Sequence, residues 1–247
     1  MESSHQKPQN ADGNADAPAN NELAKIIAID GPAASGKSTV AKIVAAALDA
    51  VYVDSGSLYR GMTWAVLDER VDPTDPHGVL ITMAARTWEF EIREKQMVYS
   101  IGGIEPGPSI RSPEVDKSVS AVARIPEVRE FITAKLRSLE EFGTIVVEGR
   151  DIGSVVFPDT PYKYYLTADP AERAKRAQKR AGDDEVDASE VASMQAKLEQ
   201  RDEADSTREN APLQIALGAQ VLDTTHLQIE EVAEVILKHI ASSQTAG

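Results

Sequence analysis

Eight consecutive residues, Gly31 to Ser38, constrain the fold of this chain more than any other part of its sequence. They fit the pattern G-x-x-x-x-G-K-[ST] at every position. The apolar run Lys25–Asp30 leads directly into the pattern, and the helical composition of Ser38–Leu48 follows it. A glycine-rich turn between a buried strand and a helix directs backbone N–H groups and the helix N-terminus at a phosphate group. The motif therefore predicts a phosphate-binding loop in an α/β fold.

We expect the residues of this loop to contact a nucleoside triphosphate. Lys37 is expected to reach the outer phosphates, and the Ser38 hydroxyl is expected to bind Mg²⁺. The loop residues expected to bind ATP are Gly31, Pro32, Ala33, Ala34, Ser35, Gly36, Lys37, Ser38 and Thr39. The guanine-reading pattern N-K-x-D of switch proteins does not occur in the sequence, which favours a kinase over a nucleotide-gated switch.

Short apolar runs predict the strands of the sheet. They are Lys25–Asp30, Ala50–Asp54, Thr144–Glu148, Lys163–Thr167 and Gln220–Asp223. Most of them are followed by a helical pattern, and such alternation is typical of a parallel sheet covered on both faces. We therefore expect an α/β domain over residues 23–241, with a five-stranded parallel sheet and helices on both of its faces.

Three segments depart from this alternation. Residues 79–142 carry a hairpin pattern around Trp88 and Tyr99 and then two helical patterns, which predicts an inserted α+β subdomain that faces the substrate. Residues 1–22 contain no Val, Ile, Leu or Phe, so they are predicted to be a disordered tail. Residues 242–247 are expected to be a disordered end.

The composition excludes several classes of function. The 247 residues include no cysteine, which rules out a disulfide framework, cysteine zinc sites and a thiol nucleophile. With 26 Lys and Arg against 40 Asp and Glu, the net charge is −14, and such a surface repels nucleic acids and anionic membranes. We expect a cytoplasmic monomer without nucleic-acid or membrane partners. An anionic ligand must then meet a local concentration of positive charge.

A helical segment in the C-terminal half of the chain supplies part of that positive charge. Arg173, Arg176 and Arg180 are spaced three and four residues apart and so share one helix face. We expect them to belong to a lid, over about residues 171–208, that closes over the phosphates and excludes water.

Other charged residues follow the predicted strands. Arg60 comes shortly after the second strand, and Arg150 and Asp151 come directly after the third. Ligands of open parallel sheets bind outside the carboxyl ends of the strands, and guanidinium groups suit phosphate. Glu148, at the end of the third strand, is a candidate for holding Mg²⁺ through water. Its spacing fits a carboxylate that braces a loop equally well.

Six blocks of sequence, in order along the chain, resemble the bacterial-type cytidylate kinases, which phosphorylate CMP and dCMP. The blocks are IAIDGPAASGKST, YVDSGSLYRG, IRSPEV, SAVARIPEVRE, VVEGRDIGSVVFPD and RDEADSTRENAPL. The resemblance extends from Ile26 to Ile240. It implies a sheet of the P-loop kinase type, an inserted subdomain that binds the monophosphate, and a short helical lid. One departure is Leu136-Arg137, where the family often has Gln-Arg.

The resemblance also implies roles for individual residues. Those matched to acceptor-binding positions are Ser55, Arg60, Ser120, Arg129, Arg150, Asp151, Arg201, Asp205 and Arg208. Those matched to catalytic positions are Lys37, Arg150, Arg201 and Arg208. Ser120, Arg129 and Asp151 match the cytosine-reading set, in which Asp151 would accept a hydrogen bond from the exocyclic amine. Uracil presents an acceptor there, so Asp151 would disfavour it.

The expected reaction is transfer of the γ-phosphoryl group of MgATP to CMP or dCMP, with CDP or dCDP and ADP as products. ATP and the monophosphate are then the partners, and Mg²⁺ is the cofactor. Two alternatives remain open from the sequence. One is a P-loop kinase for another acceptor, such as UMP, AMP or a hydroxylated metabolite. The other is a nucleotide-gated switch protein.

Overall fold

Strands and helices alternate along most of the chain, for which a computed structural model describes residues 25–181 and 188–245. The strands are β1 Ile26–Asp30, β2 Val51–Asp54, β3 Trp88–Arg93, β4 Gln96–Ile101, β5 Ile145–Gly149, β6 Tyr162–Thr167 and β7 Gln220–Asp223. The helices are α1 Lys37–Ala47, α2 Ser55–Asp68, α3 Pro76–Ala85, α4 Pro113–Val122, α5 Pro126–Ser138, α6 Pro170–Ala181, α7 Ala188–Ser206 and α8 Ile229–Thr245. A single π-helical turn, Ile152–Val156, follows β5.

One sheet contains all of these strands, in the order β3-β4-β2-β5-β1-β6-β7. The five predicted strands are present, and the neighbours among them pair in parallel. The predicted total of five is wrong, because within the described residues the sheet has seven strands. The hairpin of the insertion supplies the other two: β4 pairs in parallel with β2 at Tyr52 and Gln96, and β3 pairs antiparallel with β4. Such nonlocal pairing leaves no local pattern in the sequence.

Side chains of the sheet alternate between two hydrophobic clusters, as the period of a strand requires. Ile27 and Ile29 pack with α1 and α8 on one face. Ala28 belongs to the cluster on the other face, which includes residues of α2 and α5. The apolar side chains of the predicted insertion, Val128 and Ile132 among them, lie in that same second cluster. The insertion therefore shares its core with the sheet.

Helix α3 has no counterpart among the sequence predictions, although its start carries a recognisable signal. The Asp75 side chain accepts a hydrogen bond from the His77 N–H (3.1 Å), and Pro76 occupies the first helical position. A capping carboxylate followed by proline is a typical helix start.

The C-terminal end differs from its prediction as well. Helix α8 runs to Thr245, so residues 242–245 are helical, not disordered. The hydroxyls of Ser242 and Ser243 donate to the His239 carbonyl (2.9 Å each), and no proline or glycine interrupts the helix before Gly247. The predicted tail, residues 1–22, lies outside the described residues. Within the described ranges, none of the helices combines the length and the apolar character that crossing a bilayer demands.

Candidate active site

The carboxyl ends of β1, β2 and β5 meet at one edge of the sheet, where a cavity of about 180 Å³ opens. The phosphate loop follows β1, α2 follows β2, and the segment Arg150–Gly153 follows β5. Fourteen of the predicted site residues line this cavity: Ala33, Ala34, Lys37, Ser38, Ser55, Arg60, Ser120, Arg129, Glu148, Arg150, Asp151, Arg201, Asp205 and Arg208. The structure thus brings donor-side and acceptor-side predictions to one place.

Other predicted site residues lie elsewhere. Gly31, Pro32 and Ser35 are buried in the loop itself. Gly36 and Thr39 line a second cavity, on the other side of the loop. Arg180 lies near the end of α6, and its side chain falls outside the described residues.

Gly31 gives the loop its entry geometry. Its φ is +145°, and a Cβ at this position would lie 2.0 Å from the Leu166 carbonyl oxygen of β6. No L side chain fits so close to a neighbouring backbone, so the first glycine of the motif is a steric requirement here.

Three cations contact three consecutive carbonyl oxygens of the loop. Arg150 Nη1 donates to the Gly31 carbonyl (2.6 Å), and Lys37 Nζ donates to the Pro32 carbonyl (2.7 Å). Arg173 Nη1 donates to the Ala33 carbonyl (3.1 Å). Burial, with the neighbouring Arg150 charge, lowers the pKa of Lys37 to about 7. The loop therefore gathers positive charge at a buried position, where an anion is strongly attracted.

Asp202 of α7 contacts the loop at Ala33, beside Arg173. One of its carboxylate oxygens accepts the Ala33 N–H (2.9 Å), and the other pairs with Arg173. Sequence reasoning did not single out Asp202, because an acidic residue in an acidic helix carries no distinctive pattern. This contact joins the predicted lid to the phosphate loop.

The lining of the cavity includes a buried ion pair. Arg129 of α5 and Asp151 are both about 5% exposed or less, and Arg129 Nη2 donates to Asp151 Oδ2. Arg129 Nη1 also donates to the Ala123 carbonyl (3.1 Å), and its guanidinium lies 5.1 Å from the centre of the Tyr59 ring. These contacts fix the orientation of both side chains. Removing two charges from water costs free energy, so a buried ion pair is weak evidence that its role is to stabilise the fold.

Further arginines line the same cavity. Arg150 Nε pairs with Asp205 Oδ2 (2.9 Å), and Arg208 Nη1 lies 3.4 Å from the other oxygen of that carboxylate. Arg60 pairs with Asp116 (2.6 Å). Burial lowers the pKa of Arg201, and the charges of Arg150 and Arg60 lower it further. In an acidic chain, positive charge is thus concentrated where anionic groups would bind.

Oxygen ligands suited to Mg²⁺ lie beside the loop. The Tyr52 hydroxyl donates to Glu148 Oε1 (2.8 Å), and Ser38 of the loop lines the same cavity as Glu148. Burial raises the pKa of Asp54, and the negative charge of Glu148 raises it further. Among the described residues, no group of three or more acidic or histidine side chains forms a metal cage. This donor set fits Mg²⁺, which is commonly held by one or two protein groups together with phosphates and water.

A second cavity, of about 420 Å³, lies on the other side of the loop. Its lining includes Gly36, Thr39, Arg176 and residues 225–229, which lead from β7 into α8. Arg176 Nη1 donates to Thr224 Oγ1 (3.0 Å) and Nη2 to the Thr224 carbonyl (2.7 Å). Arg173, predicted on the same lid face as Arg176, thus contacts the phosphate loop directly. Arg176 contacts Thr224, whose hydroxyl donates to the Ser35 carbonyl of the loop (3.1 Å).

Comparison with known proteins bears on this arrangement. A model of the cytidylate kinase family matches residues 27–242. The chain belongs to that family. It is 41% identical to the cytidylate kinase of Limosilactobacillus reuteri (strain DSM 20016) over 218 residues, which cover 88% of this chain and 96% of that protein. It is 40% identical to the cytidylate kinase of Bacillus cereus over 87% of this chain and 95% of that one. The resemblance identified from the six sequence blocks is confirmed.

Two further comparisons show a partial or a weaker similarity. A bifunctional pantoate ligase/cytidylate kinase of Prochlorococcus marinus is 41% identical over 86% of this chain, which corresponds to 42% of that longer protein. Among solved structures, thymidylate kinase from Candida albicans aligns with a TM-score of 0.39 and 13% identity, over 90% of this chain and 93% of that one.

In this member of the cytidylate kinase family, sequence reasoning missed several residues around the site. They are Asp30, Tyr52, Asp54, Tyr59, Asp202 and Arg111, the last of which lines the cavity and pairs with Asp54 (3.3 Å). Asp30 and Asp54 end strands and so had a detectable signal, because charged residues at the carboxyl ends of parallel strands lie near ligands. The contacts of Tyr52 and Tyr59 depend on packing between distant segments, which the sequence alone does not reveal.

Proposed function

We propose that this cytidylate kinase transfers the γ-phosphoryl group of MgATP to CMP or dCMP and releases ADP with CDP or dCDP. One observation carries the proposal: a single cavity contains Lys37 of the phosphate loop and the buried Arg129–Asp151 pair. A triphosphate held by the loop and a base held by that pair would therefore bring their phosphates together in the arginine-lined middle of the cavity.

The transfer needs no general base. The acceptor is a phosphate monoester whose second pKa is near 6, so it is mostly a dianion at pH 7. One of its oxygens forms a bond to the γ-phosphorus while the bond from that phosphorus to the β–γ bridging oxygen breaks, and ADP leaves. We assign Lys37, Arg150, Arg201 and Arg208 to neutralising the charge on the oxygens of the transferred group.

Recognition of the acceptor follows from the polarity of the side chains. Asp151 would accept a hydrogen bond from the cytosine amine, while Arg129 and Ser120 would donate to the ring nitrogen and carbonyl oxygen. Ser55 and Arg60, both on α2, would hold the monophosphate. Arg201 and Asp205 would lie near the sugar.

The donor would occupy both sides of the loop. Its phosphates would contact residues 31–39, and its base would lie in the second cavity beside Arg176, since a guanidinium stacks well on a flat ring. Ser38 would hold Mg²⁺ directly and Glu148 through water. The ion would supply charge neutralisation on the phosphate oxygens.

The test is ADP release from MgATP by the purified protein, with CMP, dCMP, UMP, AMP, GMP or no acceptor. We expect release that depends on CMP or dCMP, with UMP a poor substrate. Release without any acceptor would instead favour a nucleotide-gated switch. A strong preference for UMP or AMP would keep the kinase reaction and remove Ser120, Arg129 and Asp151 from base recognition.

A further inference from the structure

Asp30 is a buried carboxylate with no role in the proposed chemistry. It is the last residue of β1, directly before Gly31, and it is 3% exposed. Its Oδ1 accepts the N–H of Ile152 and its Oδ2 accepts the N–H of Gly153, each at 2.8 Å. These two amides begin the π-helical turn directly after Asp151. Both oxygens of one carboxylate thus hold the start of that turn.

A second contact links the same two segments in the opposite direction. Arg150, directly after β5, donates through Nη1 to the Gly31 carbonyl (2.6 Å). Strands β1 and β5 are parallel neighbours, and Asp30 lies opposite Gly149 in their register. Beyond the last ladder pair, the phosphate loop and the segment Arg150–Gly153 therefore remain tied by one carboxylate and one guanidinium.

The far end of the π-helical turn is held as well. Arg137 of α5 donates through Nε to the Val156 carbonyl (2.8 Å) and through Nη2 to the Val155 carbonyl (3.0 Å). The turn is thus fixed at its amide end by Asp30 and at its carbonyl end by Arg137. A π-helical turn is rare and often marks a functional site.

We propose that Asp30 is a positioning residue that fixes Arg150 and Asp151 against the phosphate loop, so that the acceptor phosphate lies in line with the donor. The inference rests on the proposed function. A carboxylate is costly to bury, and here burial raises the pKa of Asp30 to about 7. An apolar side chain would fill the space at lower cost but would leave two buried amides without acceptors.

The first test is Asp30→Asn. An amide offers one acceptor oxygen, and its N–H₂ group would face one of the two backbone N–H groups, so the turn should shift. Displacing a reacting group by about 1 Å costs about 100-fold in rate. We expect kcat to fall about 10- to 100-fold, while Kd for CMP and for ATP, each measured alone by calorimetry, changes less than about threefold, since each half of the site stays intact.

The matched control is Asp75→Asn, which also replaces a carboxylate that accepts a backbone N–H, but at the start of α3. It should retain the parental kcat. Parental kcat in Asp30→Asn would overturn the proposal. So would a loss of CMP or ATP affinity as large as the loss in kcat, because Asp30 would then support binding of one ligand and not the alignment of two.

A readout independent of catalysis separates this proposal from the proposed function. Hydrogen–deuterium exchange of a peptide covering residues 150–157 should be faster in Asp30→Asn than in the parent. If the parent does not phosphorylate CMP, the proposed function fails, whereas unchanged exchange in the variant would refute the contact itself.

Arg137→Met provides a second route if Asp30→Asn does not fold. This substitution loosens the same turn from its more exposed end. We expect faster exchange of residues 150–157 and a threefold to tenfold lower kcat with unchanged Kd values. The loss of kcat should be smaller than in Asp30→Asn because the reacting groups should be displaced less. Faster exchange with parental kcat would show that alignment does not depend on the turn, and would overturn the proposal.

Discussion

Lys37 lies where its own charge is costly. Its ammonium group is buried against the Pro32 carbonyl, and burial lowers its pKa to about 7. Between pH 7 and 10.5 the unfolded chain binds a proton at this site that the folded chain does not. The free energy of unfolding therefore rises with pH from 7 to 10.5. As the pH falls from 10.5 to 7 this stability is lost again, and below pH 7 the charged, buried Lys37 destabilises the fold by its full desolvation cost. Asp30, with its raised pKa, has the opposite effect between pH 3.8 and 7.

The Lys37→Met variant tests both consequences of that burial. We expect no measurable transfer to CMP, because the loop loses the cation that contacts the phosphates. We also expect the nucleotide-free variant to unfold at a higher temperature than the parent at pH 7, by about 2–4 °C for each kcal/mol gained. This difference should shrink by pH 9, as scanning calorimetry at the two pH values would reveal.

Lys42→Met is the control for Lys37→Met, since Lys42 is exposed on the same helix. It should show no such pH-dependent gain. Appreciable transfer by Lys37→Met, or a melting temperature below that of the parent at both pH values, would contradict this account of the loop.

Asp151→Asn tests recognition of the base. The amide can donate a hydrogen bond to the uracil oxygen that the carboxylate repels, so discrimination should weaken. We expect the ratio of kcat/KM for CMP to that for UMP to fall about tenfold to a hundredfold, the range for an unpaired buried polar group. Steady-state kinetics with both substrates would measure it.

Asp116→Asn is the matched control for base recognition. It removes the partner of Arg60, on the side of the cavity assigned to the monophosphate. Both pyrimidines should be affected equally, so the ratio should hold. An unchanged ratio in Asp151→Asn would assign base reading to other residues.

At the scale of elements, α7 contributes a negative charge to the phosphate loop through Asp202. That charge repels the phosphates of any bound nucleotide. In Asp202→Asn we expect tighter binding of ATP by about fivefold, the factor for the ~1 kcal/mol between two unit charges 4 Å apart in water. ADP carries less charge and should gain less. Isothermal titration of both nucleotides would measure the difference.

Glu203→Gln is the control for this element, since it removes the same charge at an exposed neighbouring position of α7. It should leave both affinities nearly unchanged. Weaker ATP binding in Asp202→Asn would mean that the carboxylate serves mainly to hold Arg173 in place.

The elements that sequence could predict are those with local signals. Each of the five parallel strands is a short apolar run, and the loop motif determined how β1 continues into α1. The pairing of β4 with β2 was not predictable, because it depends on a hydrogen bond from the Tyr52 N–H to the Lys95 carbonyl (2.8 Å) across 43 residues of chain. The contacts of Asp202 and Asp30 were hidden for the same reason. The roles of the acceptor-site residues stay predictions until they are tested.

At the scale of the whole molecule, the shared core has a consequence for cooperativity. Side chains of the insertion and of the sheet lie in one hydrophobic cluster, and Trp88 packs against it. We expect the hairpin to unfold together with the sheet. In a Trp64→Phe variant, fluorescence of the remaining Trp88 should follow the same urea transition as far-UV circular dichroism.

An earlier transition at Trp88 would show that the insertion unfolds as a separate unit, as a free-standing subdomain would. The parent protein, with both tryptophans, is the control for any effect of replacing Trp64. The expected monomer stays a prediction, and size-exclusion chromatography with light scattering would test it.

The junction of β2 and α2 limits where this chain can change length. Strand β2 ends at Asp54 and α2 begins at Ser55, with no residue between them, and the Asp54 side chain accepts the Ser57 N–H (3.0 Å). One added residue at this joint would turn the helix by about 100°, since a turn takes 3.6 residues. Arg60 would then point away from the cavity. Insertions in the irregular segment 102–106 would leave the orientation of α2 unchanged. We therefore expect this protein to tolerate added residues in its loops but not at the junction beside its site.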